Sequence, residues 1–127
     1  DLYTQLYSDY VSKEKIKVTN YFAQIKTDST YIDSYNDNEQ CVKLVEISDN
    51  VKIVNINLAA KVKELSSIDA YIIELPAQVR PSKNIVFTAY ANKEPAFSFY
   101  SDGKIKLIYN KRLNLGAEID IIGYYVI

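Results

Sequence analysis

The sequence predicts an all-β fold, an antiparallel β-sandwich of jelly-roll-like shape, with a short helix at the N-terminal end. Three observations carry this. Beyond residue 40, apolar and polar residues alternate at period two, the spacing of a strand with one buried face. Clusters rich in Asp, Asn, Ser, Gly and Pro break the alternation at short intervals. The composition is also that of strands, with twelve tyrosines and abundant Ile and Val but only three glycines.

Taken in order, Leu2, Leu6 and Tyr10 stand four apart with Tyr3, Tyr7 and Val11 beside them. That stripe predicts a helix over about 2–13, too short to be stable unless it packs on something. From Lys17 the period changes. Val18–Ile25 and Thr30–Ile32 are expected to be strands, with Thr27-Asp28-Ser29 turning between them, and 36–40 is a polar loop.

The strand signal then strengthens. Cys41–Ile47 leads into a hairpin turn at Ser48-Asp49-Asn50. In the next strand Val54, Ile56, Leu58, Ala60 and Val62 share one face, and Asn55, Asn57, Ala59, Lys61 and Lys63 the other. Ala70–Leu75 is apolar on both faces except at Glu74, which suggests a central strand. Pro76 and Pro81 then forbid continuation, since each fixes φ and lacks an N–H. Arg80, between Val79 and Pro81, is expected to satisfy local carbonyls and to cover apolar surface with its stem. Ile85–Ala91, Ala96–Tyr100, Ile105–Tyr109 and Ala117–Ile121 alternate again, separated by turns at Asn92–Pro95, Ser101-Asp102-Gly103 and Asn110-Lys111-Arg112. The chain ends on the apolar run Gly123–Ile127, expected to be tied into a sheet. About eight or nine strands result.

Composition excludes several function classes. Fifteen basic residues against sixteen acidic ones leave a net charge of −1, with no dense basic block, so nucleic acid and anionic membranes are poor partners. The apolar runs are too short for a helix that inserts into a bilayer, and residues 1–3 carry no element of a signal peptide. Without an initiator Met the chain is expected to be a piece of a longer protein. No histidine occurs, which removes the commonest general base and zinc ligand. The three glycines are too dispersed to cradle a phosphate, and the lone Cys41 is read as a small apolar residue. No cofactor or metal is expected. Carboxylates such as Asp33, Asp37, Glu118 and Asp120 are the only catalytic raw material, and Glu118 and Asp120, two residues apart on one strand face, read more simply as solvated acids. A non-enzyme is expected.

The strand ending at Leu75-Pro76, the segment Val79-Arg80-Pro81-Ser82-Lys83, the strand with Phe87, the hairpin Ser101-Asp102-Gly103-Lys104-Ile105 and the closing Gly123-Tyr124-Tyr125-Val126-Ile127 form an order of elements. Over about residues 40–127 it resembles the C-terminal receptor-binding heads of tail-fibre and baseplate proteins from phages of Gram-positive bacteria. The resemblance implies 41–127 as a β-sandwich head; residues 1–40, which it does not cover, are expected to be an N-terminal helix or neck with accessory strands. It implies a homotrimer at the tail tip or baseplate of a virion, bound to other virion tail proteins and attaching to cell-surface saccharide or teichoic acid. The alternative is a structural assembly domain that binds only virion proteins; a polysaccharide-cleaving module is the third reading.

Saccharide sites pair an aromatic platform with carboxylates and amides that bond hydroxyls. Three regions have that chemistry. The first is Tyr31, Asp33, Tyr35, Asn36 and Asp37. The second is Tyr90, Asn92 and Glu94, with Tyr100 and Asp102 expected nearby. The third is Tyr109, Asn110 and Arg112, where Lys111 adds a second cation.

Overall fold

The computed structural model describes residues 1–4, 16–35, 40–114 and 116–127. Among these the strands are β1 Lys17–Asn20, β2 Lys26–Thr27, β3 Ile32–Tyr35, β4 Cys41–Ser48, β5 Val51–Val62, β6 Ile68–Glu74, β7 Ile85–Ala91, β8 Glu94–Ser101, β9 Lys104–Tyr109 and β10 Ala117–Val126. The all-β, antiparallel expectation holds. All of these strands belong to one hydrogen-bonded sheet in the order β1-β4-β5-β10-β7-β8-β9-β6-β2, with β3 pairing β5 alongside. The sheet curls into a half-barrel, so that the layers of the expected sandwich are parts of one sheet. Residues 2–4 are helical; the rest of the expected helix lies outside the described residues.

The alternation read from the sequence sorts the two faces correctly. Val54, Ile56, Leu58, Ala60 and Val62 are all buried, as are Ile105 and Leu107 of β9 and Ile119 and Ile121 of β10. They meet in a single core with Phe87, Ala89 and Ala91 of β7 and Ile68, Ile72 and Ile73 of β6. β6 is not central, however. It lies between β9 and the two-residue β2, and its apolar character on both faces comes from a bulge between Tyr71 and Ile73 that turns Ile72 inward as well. Val18–Ile25 is likewise not one strand: β1 ends at Asn20, whose side-chain oxygen accepts from the Phe22 and Val42 N–H groups and starts a 3-10 turn over Phe22–Gln24. The turn at Asp28 is as expected, with Thr30 N–H donating to Asp28 Oδ1 at 2.9 Å.

β3 and β4 lie one after the other along the same edge of β5, β4 reaching Asn57 and β3 beginning its pairing at Ala60. Gln40 fills the gap between them. Its Oε1 accepts from Ala59 N–H at 3.2 Å, in place of the missing backbone partner, while its Nε2 is buried with no partner among the described residues. Cys41 is buried and free, in keeping with its reading as a small core residue.

The proline corner is a junction of three strands. Leu75 N–H donates to Gly103 O at 2.8 Å, tying the end of β6 to the β8–β9 turn. Arg80 Nε donates to Leu75 O at 2.9 Å, and its guanidinium lies where a Cβ on Gly103 would come within 2.9 Å. Gly103, at φ +85, therefore serves both the turn and the close approach of Arg80. The Tyr125 hydroxyl donates to Val79 O, which binds β10 to the same corner. Burial, followed by the nearby Tyr100, pushes the Tyr125 phenol well up, so it remains a donor across the physiological range.

Tyr125 also packs edge-on against Phe87, ring centroids 5.8 Å apart, and Phe87 covers the backbone of Gly123. A Cβ at Gly123 would fall 2.7 Å from Phe87 Cδ1. Gly123→Ala is therefore expected to lower stability by about 1–3 kcal/mol through overpacking, read as the shift of the urea unfolding midpoint. Tyr125→Phe should cost about 1 kcal/mol by leaving Val79 O unpaired. Wild-type midpoints in both variants would contradict this junction.

Candidate binding surface

Hairpin geometry decides which expected site residues meet. Asn92 and Lys93 have φ 50 and 64, and Asp102 and Gly103 φ 50 and 85, so each pair forms a tight two-residue turn with left-handed residues at both positions. These turns cap opposite ends of β8, whose 8 residues at ~3.3 Å each hold them roughly 25 Å apart. The expected association of Tyr100 and Asp102 with Tyr90, Asn92 and Glu94 is thereby overturned. Tyr100 is also 5% exposed, an inward residue of β8 within the core, and cannot serve as an open platform.

The second and third regions instead share one end of the half-barrel. Glu94 Oε2 accepts from the Tyr109 hydroxyl and from Lys111 Nζ, both at 2.8 Å. The Lys111 hydrogen bond, then that of Tyr109, holds the Glu94 carboxyl below the usual carboxylate value, and Glu94 in turn raises Tyr109 and Lys111. Tyr109 is buried apart from this contact, so it too offers no stacking face. Arg112 pairs with Glu64, and the loop carrying it is held by reciprocal backbone bonds between Leu65 and Leu113. Tyr90 is outward and 37% exposed, opposite Asp120 of β10. Partial burial, then the charge of Glu118, raises the Asp120 carboxyl. Asn92 N–H donates to Glu118 O, and Asn110 is exposed.

In the first region Tyr31 is half-buried against the core and its carbonyl accepts from Lys63 N–H. Asp33 and Tyr35 belong to β3, whose backbone pairs with β5. Asn36 and Asp37 lie outside the described residues. The polar groups gathered at this end thus largely satisfy one another, which limits what they can offer a ligand.

A different surface carries a contiguous group of exposed apolar side chains. On the outer face of β7, β8, β9 and β6, cross-strand register sets Val86, Phe99, Lys106 and Tyr71 in one row and Thr88, Phe97, Ile108 and Asp69 in the next. Val86 is 66% exposed, Phe97 49% and Tyr71 41%. The rings touch one another: Phe97 and Phe99 have centroids 5.6 Å apart, and Tyr71 meets Phe99 edge-on at 6.3 Å. Lys106 Nζ sits 5.7 Å from the Tyr71 centroid and 5.9 Å from that of Phe99, and is paired with Asp69 Oδ1 at 2.9 Å. That hydrogen bond raises the Lys106 ammonium, so it stays charged. The result is an aromatic platform with a fixed cation and a carboxylate at its edge. Beside it Asn84, Ile85, Val86, Phe97 and Phe99 line a shallow, almost wholly apolar depression of about 290 Å³.

None of these platform residues was among the expected site residues. The signal was present in the sequence, in the Phe97/Phe99 alternation and the outward Tyr71. Recognising it needs the knowledge that β6 neighbours β9, a pairing across the intervening corner and hairpin.

The Glu94 cluster makes a pH prediction. Because its folded pKa lies below the ordinary 4.5, the ionised carboxylate contributes stability that is present above pH 4.5 and lost as pH falls through the depressed value. Glu94→Gln should be less stable than wild type at pH 7, and the gap should close on acidification below pH 4.5. Thermal unfolding of both proteins across pH 2.5–7 checks this; a gap independent of pH would show that the carboxylate charge contributes nothing.

The chain matches no protein-family model, and no curated protein or solved structure was matched by it.

Proposed function

We propose that this domain is a non-enzymatic attachment module, the receptor-binding head of a phage tail tip or baseplate, that binds saccharide on a bacterial surface. The observation that carries the reading is the outward aromatic platform of Tyr71, Phe97 and Phe99 beside the Lys106–Asp69 pair. Aromatic faces stack on the C–H faces of sugar rings, and a neighbouring ammonium and carboxylate supply a donor and an acceptor for ring hydroxyls. The platform stands on paired strands, so its side chains are held by the sheet rather than by loops. A single open platform of this size binds weakly, and a head displayed in several copies gains the rest by avidity. The order of elements from Leu75 to the closing strand, similar to that of such heads, points the same way.

A second reading is favoured by the apolar depression at Ile85, Val86 and Phe97, which suits a protein side chain better than a hydroxylated sugar. Under it the face is an assembly surface for other copies or other tail proteins.

Phe97→Ala and Phe99→Ala separate the two. Both side chains point outward, so each variant should keep a near-wild-type unfolding midpoint. Retention on purified Gram-positive cell walls should fall at least about tenfold, equivalent to ~1.4 kcal/mol. Undiminished retention by both variants would overturn the saccharide platform. Failure of the wild type to bind walls, together with loss of self-association in the variants, would favour assembly.

A further inference from the structure

The other half of the strand order carries an aliphatic row of its own. Register sets Val18 of β1, Val45 of β4, Ile53 of β5 and Val126 of β10 side by side on the outer face. Val18 is 55% exposed and Val126 65%. The row stops at Val18 because β1 ends the strand order, with β4 as its sole partner strand among the described residues.

The backbone of β1 is also open at that edge. Tyr21 N–H donates to Val42 O, which fixes the parity of the ladder. Counting back along an antiparallel pair, Thr19 and Lys17 bond to β4, whereas the N–H and C=O of Val18 point away from it. Such an edge is a template for a further strand.

The rows that end at β1 say what that strand carries. On the inner face Lys17, Glu46 and Lys52 stand side by side, and Glu46 Oε1 lies 3.8 Å from Lys52 Nζ. Lys17 has no ion-pair or hydrogen-bond partner for its side chain among the described residues. An acid placed beyond Lys17 extends the alternation of charge along this row, and a β-branched residue beside Val18 extends the aliphatic one. A second copy of the chain fits poorly, because its own β1, Lys17–Asn20, has no acid to offer. Lysine on an edge strand guards against pairing of like with like.

We infer that β1 is a docking edge for an extended segment of another protein, one that alternates acidic and β-branched residues and adds to the sheet as a further strand. Backbone bonds to Val18 supply affinity, and Lys17 and the aliphatic row supply selectivity. The edge is separate from the aromatic platform, so the inference stands apart from what the platform binds.

The test is NMR titration of the intact protein with three capped synthetic peptides: one alternating Glu and Val, one alternating Lys and Val, and one of the first composition with its valines grouped. The alternating Glu and Val peptide should bind at least about tenfold more tightly than either control. It should move the amide resonances of Lys17–Asn20, and its advantage over the Lys peptide should shrink as salt rises. Val18→Pro removes the outward N–H at a position where an edge strand tolerates proline, and should abolish binding. Lys17→Gln, at an exposed position, should still bind both alternating peptides but lose the preference for Glu over Lys, which keeps the test independent of how the proline variant folds. Equal affinity for the Glu and Val peptide and either control, absence of binding by all three, or shifts confined to Tyr71, Phe97 and Phe99 would each overturn the docking edge. So would self-association of the wild type that Val18→Pro abolishes, which assigns the edge to a second copy.

Discussion

The rest of the structure depends on a short tether. β1 and β2 lie at opposite ends of the strand order, yet only Tyr21 to Ile25 separate them in the chain. At ~3.3–3.6 Å per residue such a link cannot reach across the width of a flat sheet this broad. The sheet must therefore curl until its two edges approach. The tether is anchored on both sides: Tyr21 N–H donates to Val42 O in β4, and Asp28 N–H to Ile72 O in β6. Curling brings the inward residues of every long strand into one core, which is why a domain with no disulfide can bury so much of its Ile, Leu and Val.

Curvature has a second consequence, on the outside. Once one face is committed to the core, the other must be wet or covered, and here it is not uniformly polar. The outer rows of β7, β8, β9 and β6 present aromatic rings where an ordinary solvent-facing sheet carries Lys, Thr and Glu. The proline corner holds that face in place. Arg80, Leu75, Gly103 and Tyr125 lock the end of β6, the β8–β9 turn and β10 to one another, so the strands carrying Tyr71 and Phe99 cannot slide independently. A small concavity lined by Lys26, Asp28, Tyr71, Glu74 and Lys104 sits at the bulge and the two-residue edge strand.

Much of the fold was legible because period two is a local signal. Val54 to Val62 and Ala117 to Ile121 declare their buried faces residue by residue, and Asp102-Gly103 declares its turn. What was not legible depends on which strand neighbours which. Tyr100 and Asp102 looked adjacent to Tyr90 because they are near in sequence, but a hairpin strand carries them to the far end. Glu94 and Lys111 meet because β9 runs back alongside β8, and Tyr71 joins Phe99 only through the long-range pairing of β6 with β9. The 3-10 turn at Phe22–Gln24 was hidden for another reason: Asn20 diverts the backbone with its side chain in a segment whose β-branched and aromatic content favours a strand.

The central claim is that the outer aromatic platform, rather than the polar loops at the Glu94 end, meets the ligand. Side-chain and amide NMR shifts recorded during titration with solubilised Gram-positive cell-wall polysaccharide test it most directly. The account predicts the largest changes at Tyr71, Phe97, Phe99 and Lys106. Changes confined to Asn92–Glu94 and Asn110–Arg112, with the platform resonances unmoved, would contradict it.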